Sequence, residues 1–260
     1  MSRGNWHSRP YLGNTAGFTL VELMITLVIS GFIVAAIYSA YVTQQRVYLA
    51  QEQVAEMQQN IRAAADILTR EVRMAGYDPT GKADAKVSTM LPGQFSFTCD
   101  RNENGVTSGP TEPMEILDFG FRPTDPDGGS HEDTDRNGIS DSVTNGVPDT
   151  LPMGRQAGGA GAYQPIAENF QAIEFHYLDA TGNPTADPTA VRTVQFSLLA
   201  RAGQADPKFT NSAIYCPASN PLNPATGQCT NMALNVWGPY NDNFRRRLLI
   251  TNLEIRNVGI

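Results

Sequence analysis

Residues 17–25 read "GFTLVELMI". A glycine is followed at once by an apolar run, and the fifth residue of that run is a carboxylate, Glu22. The run continues to Tyr41 as "FTLVELMITLVISGFIVAAIYSAY". As a helix, about 24 apolar or small residues are enough to span a hydrocarbon core of about 30 Å. The run is also longer than the apolar region of a secretory signal, about 7–15 residues, and no A-x-A cleavage site follows it. It reads as a retained membrane segment. A charge inside lipid is costly, so Glu22 needs a reason.

The flanks set the orientation. Residues 1–17 hold Arg3 and Arg9 and no acid. A basic leader faces the cytoplasm, and the remainder is expected to cross. The whole chain has 260 residues, with 19 basic, 26 acidic and a formal net charge of −7. Without Arg3 and Arg9 the balance is 17 basic against 26 acidic, or −9. That excludes nucleic acid as a general ligand. The length suits one sizeable domain or two small ones.

Downstream the helical pattern persists. Val47, Ala50, Val54, Met57, Ile61, Ala64 and Leu68 recur at alternating spacings of 3 and 4, one apolar stripe among Gln, Glu and Arg. The pattern predicts one helix from Phe18 to about Met74, with Gly76 and Pro79 as the stop. Residues 80–165 are rich in Gly, Pro, Asp, Asn and Thr and predict mainly loops around one strand, "MEILDFGF" (114–121). "FQAIEFHYLD" (170–179) and "VRTVQFSLLA" (191–200) predict an antiparallel pair with an extended turn, and "RRRLLITNLEIRNV" (245–258) a final strand. The expected class is α+β, a long N-terminal helix packed on an antiparallel sheet with large loops. The expected organisation is a leader (1–17), a membrane half of the helix (18–41), an amphipathic half (42–77) and a β-rich head (78–260) with a loop-rich insertion over about 80–165.

"GFTLVELMI" resembles the type IV prepilin signature at Gly17, Phe18 and Glu22. "LTREVRMAGY" (68–77) resembles the helix end of PilW-type minor pilins and of pseudopilin J of type II secretion; "AIEFHYLDATG" and "RRRLLITNLEIRN" are similar to later parts of PilW-type proteins. The resemblance implies a type IV pilin-like fold and a structural role. A prepilin peptidase would cut after Gly17 and methylate the new amine of Phe18. The mature chain would cross the inner membrane once, with its head in the periplasm. An inner-membrane assembly platform would then draw it from lipid into a pilus of major and minor pilins, near the tip. A pseudopilin of type II secretion shares these mechanics. A membrane-anchored binding module that uses a prepilin-type signal is the more distant reading.

The resemblance implies that Glu22 is an assembly residue. In a filament it would lie among apolar helices, where a buried ion pair sets register better than it adds stability. The positive group at its depth is the Phe18 amine of an adjacent subunit. The periplasm is oxidising, so Cys216 and Cys229, which flank a proline-rich loop, are expected to pair and leave Cys99 free. "DTDRNGISD" places Asp133, Asp135, Asn137, the Ile139 carbonyl and Asp141 at positions 1, 3, 5, 7 and 9 of a calcium loop. Thr144 stands at position 12 in place of the bidentate Glu, so Asp125, Asp127 or Asp149 would have to substitute. "DRNENG" (100–105) repeats the opening of the pattern less completely. Solvated turns account for both stretches equally simply. No cofactor is required, and Ca²⁺ is the one ion the spacing calls for. His131 and His176 are the histidines beyond the leader, and none of the common hydrolase, metalloprotease or phosphate-loop motifs occurs, so no enzyme is expected.

Overall fold

The computed structural model describes residues 17–109, 112, 114–123, 132–158 and 163–258. The leader up to residue 16, Asp125, Asp127 and His131 lie outside the described residues. The chain divides into two compact units, Met1–Leu49 and Ala50–Ile260.

Helix α1 runs Leu20–Val72. Every residue from Leu20 to Leu49 is exposed except Val42, which is half-buried. None of the large apolar side chains in that stretch is fully buried. In the second unit the helix shows the expected stripe: Met57, Ile61, Ala64, Leu68 and Val72 are buried, and Val54 is partly so. The stripe begins later than its sequence pattern, because Val47 is exposed and Ala50 only half-buried. α1 ends two residues short of Met74, in a tight turn where Ala75 N–H donates to Val72 O at 3.0 Å. Gly76 then takes φ +74° and its N–H donates to Thr98 O at 3.0 Å. A Cβ there would stand 2.8 Å from Val258 Cγ2, so the chain end packs against a position that glycine alone fits.

The strands are β1 Val87–Leu91, β2 Gln94–Thr98, β3 Ile116–Phe121, β4 Val143–Thr144, β5 Val147–Pro148, β6 Leu151–Ala157, β7 Tyr163–Leu178, β8 Thr193–Arg201, β9 Leu222–Asn223, β10 Gln228–Cys229 and β11 Arg246–Glu254. Seven form one antiparallel sheet in the order β1-β2-β3-β6-β7-β8-β11. This is a meander in chain order, with the hairpins β4–β5 and β9–β10 set into two of its connections. The α+β expectation therefore holds. The expected strands are present as β3, β7, β8 and β11, and β7 pairs with β8 as foreseen.

The expectation of loops over 80–165 needs correction. Four strands of the main sheet, β1, β2, β3 and β6, lie in that region. β1 and β2 have five residues each around Pro92 and Gly93, and β6 contains Pro152 and Gly154. These residues weaken the local strand signal, and only pairing in the sheet overrides them.

The helix stripe packs on one face of the sheet, over Phe95, Phe97, Phe119, Phe121, Phe170, Phe196 and Leu198. Phe95 and Phe97 centroids lie 5.5 Å apart, and Phe97 stacks on Phe119 at 6.1 Å. Side-chain alternation along a strand sends Ile173 and Leu198 into this core and Ala172 and Leu199 to a smaller cluster with Trp237.

Candidate functional site

Four features bear on function: the start of α1, its end, and two acidic loops. At the start, Gly17 and Phe18 are exposed and precede the helix. Thr19 is the N-cap. Its N–H donates to Glu22 Oε2 at 2.9 Å, its hydroxyl donates to the same oxygen at 2.9 Å, and Glu22 N–H donates to Thr19 Oγ1 at 3.2 Å. This is a reciprocal capping box, which satisfies orphan donors of the first turn. The T-x-x-E spacing of 19–22 is its local signature, a signal that reading Glu22 only as a charge in lipid leaves out. Glu22 therefore has a partner on its own chain, and both members lie beyond Gly17, so cleavage there would leave the cap intact.

At the end, the residues of "LTREVRMAGY" divide between core and tether. Leu68 and Val72 are buried, and Glu71 Oε2 accepts from Arg101 Nη2 at 2.7 Å, with Arg155 Nη1 3.9 Å from Oε1. Tyr77 Oη donates to Glu103 at 3.1 Å. The helix terminus is thus tied to the loop after β2.

The expected calcium loop adopts a compact turn. Asp133 is fully buried and accepts from Asn137 N–H at 3.0 Å and Gly138 N–H at 2.9 Å. Asp135 accepts from Asn137 N–H at 3.1 Å, and Asn137 Oδ1 from Ile139 N–H at 2.8 Å. Arg136 and Gly138 take φ of 59° and 85°, and a Cβ on Gly138 would lie 2.0 Å from Ile173 O. Burial, reinforced by nearby Asp135, pushes the Asp133 carboxyl up to about 7, although the Gly138 and Asn137 N–H groups lower it. Asp141 is turned to accept from Thr134 N–H at 2.8 Å. Asp149 accepts from Ser142 Oγ at 2.8 Å and Thr144 Oγ1 at 3.1 Å.

Loop 100–106 repeats this bond set. Asp100 accepts from Asn104 N–H at 3.0 Å and Gly105 N–H at 2.9 Å, Asn102 Oδ1 from Asn104 N–H at 3.0 Å, and Asn104 Oδ1 from Val106 N–H at 2.8 Å. Glu103 and Gly105 have φ of 63° and 79°, matching Arg136 and Gly138. Among the described residues, no three carboxylate, imidazole or thiolate groups stand together closely enough to hold an ion by themselves. Either loop would need amide and carbonyl oxygens as well.

Cys216 and Cys229 are joined in a disulfide, and Cys99 is free and buried, as expected. The bridged loop is docked on the sheet. Glu174 accepts from Ser219 N–H at 3.1 Å and Asn235 Nδ2 at 2.7 Å, while Ser197 Oγ accepts from Ala218 N–H at 2.8 Å.

Residues 12–38 match the family model of the prokaryotic N-terminal methylation motif. The match spans the exposed Gly17–Phe18 bond, the Thr19–Glu22 cap and the apolar part of α1. The chain carries this motif at its N-terminus. Among solved structures it is similar to a type IV-like pilin of Thermus thermophilus, with 18% identity over 78% of this chain and 98% of that chain and a TM-score of 0.39. No curated protein sequence matches it. Helix Leu20–Val72 contains a stretch long and apolar enough to cross a membrane, beside the methylation motif.

Proposed function

We propose that this protein is a minor pilin, a structural subunit that primes or caps a type IV pilus. The observation that carries the reading is the first unit's helix. From Leu20 to Leu49 its large apolar side chains are exposed, with Val42 half-buried. Such a surface needs lipid or other helices around it. A prepilin peptidase cuts after Gly17 and methylates Phe18. The cut chain rests in the inner membrane with residues 50–260 in the periplasm, and the assembly platform moves it among other pilins. Glu22 then exchanges Thr19 for the Phe18 amine of a neighbour. The same features suit a minor pseudopilin of type II secretion, a reading supported by the likeness of residues 68–77 to pseudopilin J.

Sheared surface filaments, analysed by mass spectrometry, test the pilus reading. The chain is expected at a small ratio to the major subunit and with a methylated Phe18 at its N-terminus. Its absence from filaments, together with loss of protein secretion on deletion, would assign it to type II secretion.

Residues 133–141 are proposed to take Ca²⁺ through Asp133, Asp135, Asn137, the Ile139 carbonyl and Asp141, with Asp149 close to the twelfth position. Asp135→Ala should increase proteolysis over residues 125–150 in calcium. Identical proteolysis of parent and variant in calcium and in chelator would remove this site.

A further inference from the structure

We propose that the free edge of β11 pairs with the same edge of a second copy of this chain, antiparallel and centred on Ile250, so that two heads share one continuous sheet. The inference rests on the fold and not on the filament reading.

The backbone supplies the first argument. β11 closes one end of the seven-stranded sheet, with β8 as its neighbour on one side. Ala202 N–H donates to Arg245 O at 2.8 Å and Ile255 N–H to Arg192 O at 2.8 Å. The register is unbroken between these two bonds, so the odd-numbered residues of β11 turn their N–H and C=O toward β8. The even-numbered residues Arg246, Leu248, Ile250, Asn252 and Glu254 turn theirs outward, where they have no hydrogen-bond partner among the described residues. Such a row of unpaired donors and acceptors is a template for another strand.

The second argument is the contrast between the two edges. β1, at the far end, has five residues and a register break between Val87 and Thr89, and it follows the charged Asp84 and Lys86. Short, irregular, charged edges resist pairing. β11 has nine residues, no register break, and no Pro, Gly or Lys. Its charges lie at its two ends, and Ile250 at its midpoint is 42% exposed. A groove of about 370 Å³ opens between α1 and Arg247, Leu249 and Thr251, so the helix leaves this edge open.

The third argument selects the occupant. The outward row is symmetric about Ile250. In the antiparallel register centred there, Ile250 faces Ile250, Leu248 faces the second copy's Asn252, and Arg246 faces the second copy's Glu254. Every outward group then has a partner, two bonds to each facing pair. Arg246 is already held by Asp242, with Nη1 2.6 Å from Oδ1, so the exposed Arg247 is the charge that discriminates. The antiparallel register sets it beside the second copy's Glu254 end, whereas a parallel one would set it against a second Arg247, and like charges placed opposite destabilise a strand pair. The contact is isologous, generated by one twofold axis through Ile250 and normal to the sheet. That axis keeps the packed parts of both α1 helices on one face and reverses their direction.

Detergent micelles leave each copy free to turn, so the full chain can be tested in them. It would carry a nitroxide at Asn252→Cys under non-reducing conditions, with the buried Cys99 inaccessible to the label. Light scattering should record a dimer at about 0.1 mM protein, a concentration that populates weak contacts. Asn252 and its symmetry mate stand four residues apart along the paired strands, so the labelled backbones should lie about 15 Å apart and broaden the spectrum. Ile250 N–H points outward, so Ile250→Pro removes an edge donor and leaves the β8 ladder intact. It should weaken the dimer by at least about tenfold without changing the monomer's fold. Should that variant fail to fold, Ile250→Lys sets like charges opposite each other at the axis and takes its place with the same expectation. A monomer at that concentration would overturn the inference and leave the edge to a different occupant. A dimer without spectral broadening, or one of parental affinity in the folded Ile250 variant, would overturn it as well.

Discussion

Thr19 and Glu22 cap the first turn of α1 by bonding to each other, through Thr19 N–H to Glu22 Oε2 at 2.9 Å and Glu22 N–H to Thr19 Oγ1 at 3.2 Å. This gives Glu22 a role before any neighbour is present, and capping can be separated from charge. Glutamine serves in a capping box as glutamate does. Glu22→Gln should therefore insert and be cleaved normally, yet fail to dock, because it cannot pair with the Phe18 amine of a neighbour. We expect its incorporation into filaments to fall by at least about tenfold, as for loss of one partner of a buried pair. Glu22→Ala should fall further, having lost the cap too. Fractionation at parental expression reads the result. Normal incorporation of Glu22→Gln would reduce Glu22 to a capping residue.

The tether at the helix end is testable by stability. Arg101→Ala leaves Glu71, whose side chain is 11% exposed, with Arg155 3.9 Å away. The Arg101 side chain is 37% exposed, so solvent screens the pair. The cost should be about 1–3 kcal/mol, below the value for a fully buried pair. Urea unfolding of parent and variant in the same detergent measures it, and a change under about 0.5 kcal/mol would place the pair with ordinary surface contacts.

Asp118 sets a pH dependence. Burial raises its carboxyl above the ordinary range, against the lowering effect of Gln94 and Ser96, and Oδ1 has no hydrogen-bond partner among the described residues. The folded state then binds more protons than the unfolded state between the unfolded value, about 4, and the raised folded value. Stability should fall as pH rises through that window. Asp118→Asn should flatten the fall, raising the melting temperature at neutral pH and leaving it unchanged well below pH 4. A parallel fall in the variant would assign the slope to other groups.

The disulfide closes a loop with a sequence separation of 13. Replacing both Cys216 and Cys229 by Ala should destabilise by about 3 kcal/mol in the chain-entropy model. Non-reducing peptide maps should show a Cys216–Cys229 peptide and an unmodified Cys99. A mixed peptide containing Cys99 would contradict the pairing.

Much of this protein was legible in the sequence because its signals are local. The apolar run from Phe18, the 3–4 spacing from Val54 to Leu68 and the alternation in 170–179, 191–200 and 245–258 depend on side-chain periods along one segment. The cysteine pair was readable from chain proximity and redox compartment. The T-x-x-E cap is equally local. What only the tertiary structure decided depends on residues far apart in the chain. β1, β2 and β6 are too short, or too interrupted by Pro and Gly, to show themselves before sheet pairing supplies their partners. The Glu71–Arg101 pair joins a helix to a loop 30 residues away. Glu115 meets Arg101 and Asn102 only because the chain returns past them after leaving β2. Burial is also a tertiary quantity: a carboxylate such as Asp133, which would solvate freely in an isolated turn, is withdrawn from water only when the folded chain closes over it.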